Sequence, residues 1–205
     1  MSAQKGTTYG AGFFHDWMTA AAAAVDREAD RLTELDSAIG DADHGANLKR
    51  GFAAVTALLE KEPPATPGAV LVTSGRQLIS TVGGASGPLY GTLLRRTGKA
   101  LGDAERVSRA ELAEALTAGV AAVAQLGGAQ AGDKTMLDAL LPAAEALGSS
   151  FAAAREAAEA GALATVPLRA RKGRASYLGE RSVGHQDPGA TSSALLIAAL
   201  AEAAG

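Results

Sequence analysis

The sequence predicts an all-α fold of about eight helices, and three observations carry that prediction. Apolar residues recur three and four residues apart along most of the 205-residue chain, which puts them on one helical face. Aromatic residues make up 4% of a chain that is 47% hydrophobic, so alanine and leucine must carry the core. That favours closely packed helices over sheets built from β-branched and aromatic side chains. Many of the 25 glycines fall in polar connections between the amphipathic stretches, at Gly40–Gly45, Gly83–Gly91, Gly127–Gly132 and Gly173–Gly189.

Phe14, Trp17, Met18 and Ala21 open the first stripe, which resumes at Leu32, Leu35 and Ile39. Leu48, Phe52, Val55 and Leu59 form the second, ended by Pro63 and Pro64. A third helix starts at Pro67 and runs through Val70, Ser74 and Leu78. The fourth follows Pro88 through Leu93 and Leu94 and stops near Gly98. Ser108-Arg109-Ala110-Glu111 reads as a capping box before Leu112, Leu116, Val120 and Val123. A sixth helix follows Lys134 with Leu137, Leu140, Leu141 and Leu147, a weaker alanine-rich one runs from Phe151 to near Ala164, and Thr191 to Ala204 closes the chain. Val70–Thr73 and Ala164–Leu168 are the best strand candidates, but both are short and sit within helical patterns. No internal repeat or long linker divides residues 1–205, so one domain is expected, in which up-and-down packing brings alternate connections to one end.

The formal net charge of −3 and the absence of a large basic face exclude a nucleic-acid partner. Without cysteine there are no disulfides, thiolate chemistry or cysteine-ligated metals. The N-terminus lacks a signal-peptide pattern, and the apolar stretches Ala20–Val25 and Ala194–Ala204 are too short to span a bilayer. A soluble, cytoplasmic protein with no membrane partner is therefore expected.

The first connection holds Asp36, Asp41 and Asp43 within eight residues, broken by Gly40. They cannot share one helical face, but they converge if the chain leaves the helix near Asp36 and turns back. Packed carboxylates repel one another, and a hard divalent cation such as Mg²⁺, which also binds substrate phosphates, is the natural compensation. The competing reading is that Asp43 or Asn47 caps the next helix, which explains one aspartate better than three. A calcium loop fails for want of the glutamate at about the twelfth loop position.

The second connection, Thr81 to Thr92, places small residues before a helix start, where backbone N–H groups can approach an anion. It lacks the Gly-Lys-Ser/Thr of a Walker loop, and a glycine-rich turn alone is often only a tight connection. The third, Gly127 to Asp138, says little by itself: Met136 fits core packing and Lys134 fits a solvated surface charge. The fourth, Ala170 to Thr191, carries Arg171, Lys172, Arg174 and Arg181 in an otherwise acidic chain. Arginine forks match phosphate oxygens, and long functional loops fold over ligands. His185 reads as a hydrogen-bonding loop residue, because no second histidine lies at ligand spacing.

At these residues the sequence resembles the L subunits of dihydroxyacetone kinase, the nucleotide-binding component of a bacterial kinase that uses the phosphotransferase system. The matching strings are LDSAIGDADHGANLKRGF, TVGGASGPLYGT, GDKTM and ARKGRASYLGERSVGHQDPGATS, in the family's order. The resemblance implies a single-domain barrel of eight antiparallel helices with ADP or ATP bound tightly at one end, as a coenzyme. It implies two Mg²⁺ ions held by Asp36, Asp41 and Asp43. Nucleotide contacts carry over to His44, Gly45, Ala46 and Asn47, to Ala85 and Ser86, to Gly127 and Met136, and to Arg174, Asp187, Pro188 and Gly189. Asp36, Asp41, Asp43 and Arg174 would act in catalysis. Thr81 and the Gly128–Ala131 segment depart from the family pattern in ways that alter base packing rather than chemistry. The implied partners are a K subunit holding dihydroxyacetone and an M subunit whose phosphohistidine rephosphorylates the bound ADP. Two alternatives stay open: a subunit of the same fold using exchangeable ATP on another hydroxyketone or sugar-like substrate, and a nucleotide-loaded regulatory module that touches a transcriptional regulator.

Overall fold

Eight α-helices form in the order the periodicity requires, in a computed structural model that describes residues 7–205. They are α1 (Ala11–Ile39), α2 (His44–Lys61), α3 (Pro67–Thr81), α4 (Ser86–Leu101), α5 (Arg109–Gly127), α6 (Leu137–Leu147), α7 (Phe151–Ala164) and α8 (Pro188–Ala204). Local chemistry explains their starts and stops. Thr66 and Ser150 accept the N–H groups of Ala69 and Ala153, and Ser108 and Glu111 complete the reciprocal capping box that opens α5.

Each helix packs on its neighbours in sequence, and α8 returns to α1, so the eight close into an up-and-down barrel. The apolar stripes meet inside, where Phe14, Trp17, Leu48, Leu71, Leu93, Leu140 and Ile197 are buried. Trp17 Nε1 donates to the Leu196 carbonyl at 2.9 Å, which ties α1 to α8 across the closing seam. The α3–α4 pair approaches so closely that a Cβ on Gly98 would lie 2.5 Å from the Gly68 carbonyl oxygen. Among the described residues no helix is long and apolar enough to cross a membrane.

The two strand candidates do not form. Residues 70–73 lie inside α3, and residues 164–168 are the end of α7 and the turn after it. A two-stranded antiparallel sheet appears instead between β1 (Thr8–Gly10) and β2 (Arg106–Ser108), with Tyr9 opposite Val107. It sits where the chain enters α1 and α5. Three helices start slightly earlier than the sequence suggests or, for α6, later: α4 begins at Ser86 and takes Pro88 into its first turn, α8 begins at Pro188, and α6 begins only at Leu137. Proline is tolerated in a first turn because its missing N–H has no intrahelical partner there. The fourth connection is partly ordered as a 3-10 turn, Arg174–Ser182.

Candidate functional site

Because consecutive helices run in opposite directions, the α1–α2, α3–α4, α5–α6 and α7–α8 connections gather at one end of the barrel. These are the four glycine-rich segments. Together they line a cavity of about 1090 Å³, about the upper size of pockets that take small molecules and cofactors.

The acidic trio closes on the wall of this cavity. Oxygens of Asp36, Asp41 and Asp43 all lie within 4.8 Å of one another, with Asp36 buried and the other two exposed. Asp36 sits one turn from the end of α1 and reaches forward: its Oδ2 accepts the N–H groups of Asp43 at 2.9 Å and His44 at 3.2 Å. The capping reading of Asp43 therefore does not apply, since its carboxylate makes no cap bond to α2. Asn47 does not cap either; its Oδ1 accepts from Arg50 at 2.7 Å. Three carboxylates offering hard oxygen donors fit a divalent cation of the Mg²⁺ type. Arg174 reaches back from the 3-10 turn to Asp41 Oδ2 at 3.0 Å.

Helix starts face the same space. Asp43, Ala85 and Met136 open α2, α4 and α6 without capping them; Asp36 Oδ2 takes the His44 N–H and Thr135 Oγ1 that of Leu137, so the start of α4 keeps first-turn N–H groups and a positive dipole end available to an anion. His44 is held from both sides: Nδ1 meets Ser86 Oγ at 3.1 Å and Nε2 meets Ser192 Oγ at 2.8 Å. Burial lowers its pKa, against the pull of Asp36, Asp43 and Asp41. Tyr90 extends the chain of hydroxyls to Ser192 (2.6 Å) and Ser193 (2.9 Å), and burial pushes its own pKa up to about 12.

Asp187 caps α8 through Ala190 N–H at 2.7 Å, and burial raises its carboxyl to about 7 despite that bond. Its own N–H donates to Thr165 Oγ1 at 2.9 Å. Leu89, Val123, Leu126, Ala129, Met136 and Leu137 give the cavity an apolar wall. They belong to the ends of α4 to α6, round the ring from the acidic trio, which separates a polar subsite from an apolar one.

Of the residues singled out from the sequence, Asp36, Asp41, Asp43, His44, Ala85, Ser86, Gly127, Met136, Arg174, Asp187, Pro188 and Gly189 line the cavity. Gly45, Ala46 and Asn47 are not in its wall. Gly45 is pressed against α1, where a Cβ would lie 1.9 Å from the Ala29 carbonyl oxygen. Ala46 is exposed on the first turn of α2. Tyr177 is 89% exposed at the rim. Lys134 is the reverse case, buried at 1% exposure rather than solvated, and burial lowers its pKa. Sequence reasoning missed it together with Asp133 and Asp138, whose carboxylates accept loop N–H groups of Gln130, Gly132 and Thr135. The only signal was that all three fall in or beside the GDKTM string.

Residues 38–202 match the family described as the DAK2 domain. The chain belongs to the DAK2 domain family. It is 43% identical over 199 residues to the PEP-dependent dihydroxyacetone kinase ADP-binding subunit DhaL of Escherichia coli, covering 92% of this chain and 95% of that one. It is 42% identical over 201 residues to the ADP-binding subunit DhaL of PEP-dependent dihydroxyacetone kinase 2 of Listeria innocua, covering 93% of each. The solved structure of the dihydroxyacetone kinase from C. freundii in complex with AMP-PNP and Mg²⁺ superimposes with a TM-score of 0.72 at 27% identity. That match covers 98% of this chain and 36% of the longer C. freundii chain.

Proposed function

We propose that this chain is the ADP/ATP-carrying subunit of a cytoplasmic dihydroxyacetone kinase, working with separate partner subunits. In this reading the γ-phosphoryl group passes to dihydroxyacetone held on a K subunit, and the bound ADP is rephosphorylated by the phosphohistidine of an M subunit. The observation that carries it is the acidic trio, closed to within 4.8 Å in one cavity with the uncapped start of α4. The full-length match to ADP-binding subunits supports the nucleotide, and the Mg²⁺ complex of the related fold supports the metal.

The chain's task is positioning and charge compensation, since phosphoryl transfer asks little covalent chemistry of a protein. Asp36, Asp41 and Asp43 would hold two Mg²⁺ ions, which when bound supply positive charge shared with phosphate oxygens. The N–H groups at the start of α4 would receive a phosphate, with Ser86 and His44 fixed beside them. Arg174, 3.0 Å from Asp41, would supply a cation to the developing charge on the transferred group. Met136, Leu89 and Val123 offer an apolar slot for the base.

Calorimetric titration with ADP and native mass spectrometry decide the reading. ADP is expected to bind tightly with Mg²⁺ and weakly with EDTA. Asp41→Asn is expected to weaken binding at least about tenfold with the helical circular dichroism unchanged. Mg²⁺-independent ADP binding, or an Asp41→Asn variant with wild-type affinity, would falsify it.

A further inference from the structure

Lys134 and Ala42 are the non-glycine residues with positive φ among the described residues, Lys134 at 62°. The Asp133 and Asp138 carboxylates, holding N–H groups on both sides of it, fix that turn. The turn sends the lysine inward. Its Nζ donates to the carbonyl oxygens of Thr165 at 2.9 Å, Leu168 at 3.0 Å and Ser182 at 2.7 Å, and to that of His185, with Val166 at 3.5 Å. Every one of these carbonyls belongs to the connection from α7 to α8. No carboxylate forms an ion pair with the ammonium among the described residues, so converging backbone dipoles compensate it, helped by the negative end of α7. The same connection carries Arg171, Lys172 and Arg174 along the cavity and ends at Asp187.

We propose that Lys134 is a positioning residue whose buried ammonium clasps the α7–α8 connection over the cavity and so sets where Arg174 and Asp187 stand. Removing the charge leaves the carbonyls converging on one point without a donor, an arrangement that opens. A methionine of similar length would keep the packing and lose the clasp. The clasp stands on geometry alone; its effect on ADP affinity rests on the nucleotide-carrying reading above.

Trypsin reports the clasp directly, because Arg169, Arg171, Lys172, Arg174 and Arg181 all lie in the connection. In Lys134→Met, cleavage within residues 169–181 is expected to accelerate at least about tenfold in nucleotide-free protein, with helical circular dichroism unchanged. Affinity for ADP with Mg²⁺ is expected to fall about tenfold. In Lys134→Ala, ethylammonium added to the buffer is expected to restore protection, whereas tetramethylammonium, which has no N–H, does not. Wild-type cleavage of Lys134→Met, or equal rescue by both amines, overturns the proposal. If neither variant folds, hydrogen exchange in the wild-type protein decides: the amides of Arg171 and Gly184, bonded to Asp133 O at 3.1 Å and Val166 O at 2.8 Å, must exchange as slowly as core helix. Open-loop exchange there overturns it. A protein that never binds ADP sinks the functional reading while leaving the protease result intact.

Discussion

Replacing Gly45 with alanine tests whether the first turn of α2 must touch α1 for the acidic trio to close. The added Cβ would lie 1.9 Å from the Ala29 carbonyl oxygen and 2.9 Å from its carbon, and real Cβ atoms essentially never approach closer than 3.0 Å. Moving from 1.9 to 3.0 Å takes 1.1 Å, and the obstacle is backbone, which cannot rotate away. Thr33 Oγ1, at 2.5 Å, is a side chain that can. A shift of that size along the contact breaks the bonds that Asp43 and His44 N–H make to Asp36 Oδ2, now 2.9 and 3.2 Å long. Overpacking of this kind costs about 1–3 kcal/mol, offset by up to ~1 kcal/mol from alanine's better helix propensity. For a chain of this size the net loss, up to about 2 kcal/mol, corresponds to a fall in Tm of up to roughly 8 °C. Because Asp43 moves with the turn, ADP affinity in Mg²⁺ should fall at least about tenfold, read by calorimetry. A Gly45→Ala protein with unchanged Tm and unchanged affinity refutes the idea that this helix contact holds the trio.

Three other substitutions separate the two ends of the barrel and its charges. Gly98→Ala forces a Cβ to 2.5 Å from the Gly68 carbonyl at the end away from the cavity, so it should lower stability by about 1–3 kcal/mol while leaving ADP affinity unchanged. Arg174→Ala removes a guanidinium that is 70% exposed, so Tm should move by less than ~2 °C while ADP affinity falls about tenfold. Asp187 binds its proton more tightly folded than unfolded, so its contribution to stability is complete below pH 3.8 and is lost as pH rises through about 7. Between pH 5 and pH 8 that loss corresponds to roughly 3 kcal/mol, and urea unfolding at the two pH values should show it in the wild type and not in Asp187→Asn. Parallel pH profiles for the two proteins would count against it.

The helices were legible because a stripe of leucines and alanines is a local signal, and the Ser108–Glu111 capping box formed as the spacing predicts. The β1–β2 pair was not, because a three-residue strand has no periodicity to read and its partner lies a hundred residues away. The acidic trio was legible as a cluster, yet only the structure shows that Asp36 takes over the capping role and leaves Asp43 free. Lys134 was misread for a related reason. A lysine among glycines is locally a surface residue, and what buries it is a positive φ and five carbonyls supplied from beyond residue 160.

The distribution of helix caps divides the barrel into an end that stabilises it and an end that binds. Helices α3, α5 and α7 begin away from the cavity from extended backbone at Thr66, Ser108 and Ser150, each of which caps its helix. Helices α2, α4 and α6 begin at the cavity from residues in the αR region, and none accepts a cap bond. Asp36 instead takes the first N–H groups at α2 and Thr135 Oγ1 takes that of Leu137 at α6, so the start of α4 is the one left open, forgoing the ~1 kcal/mol that a cap contributes. Asp187 on α8 is the exception at this end, and burial explains why it is tolerated beside an anion site. With its proton held to about pH 7, the carboxyl keeps its bond to Ala190 N–H and carries only part of a negative charge near neutrality. Asparagine at 187 would make the same bond with no charge at all, so its effect on ADP affinity separates the two roles of that side chain.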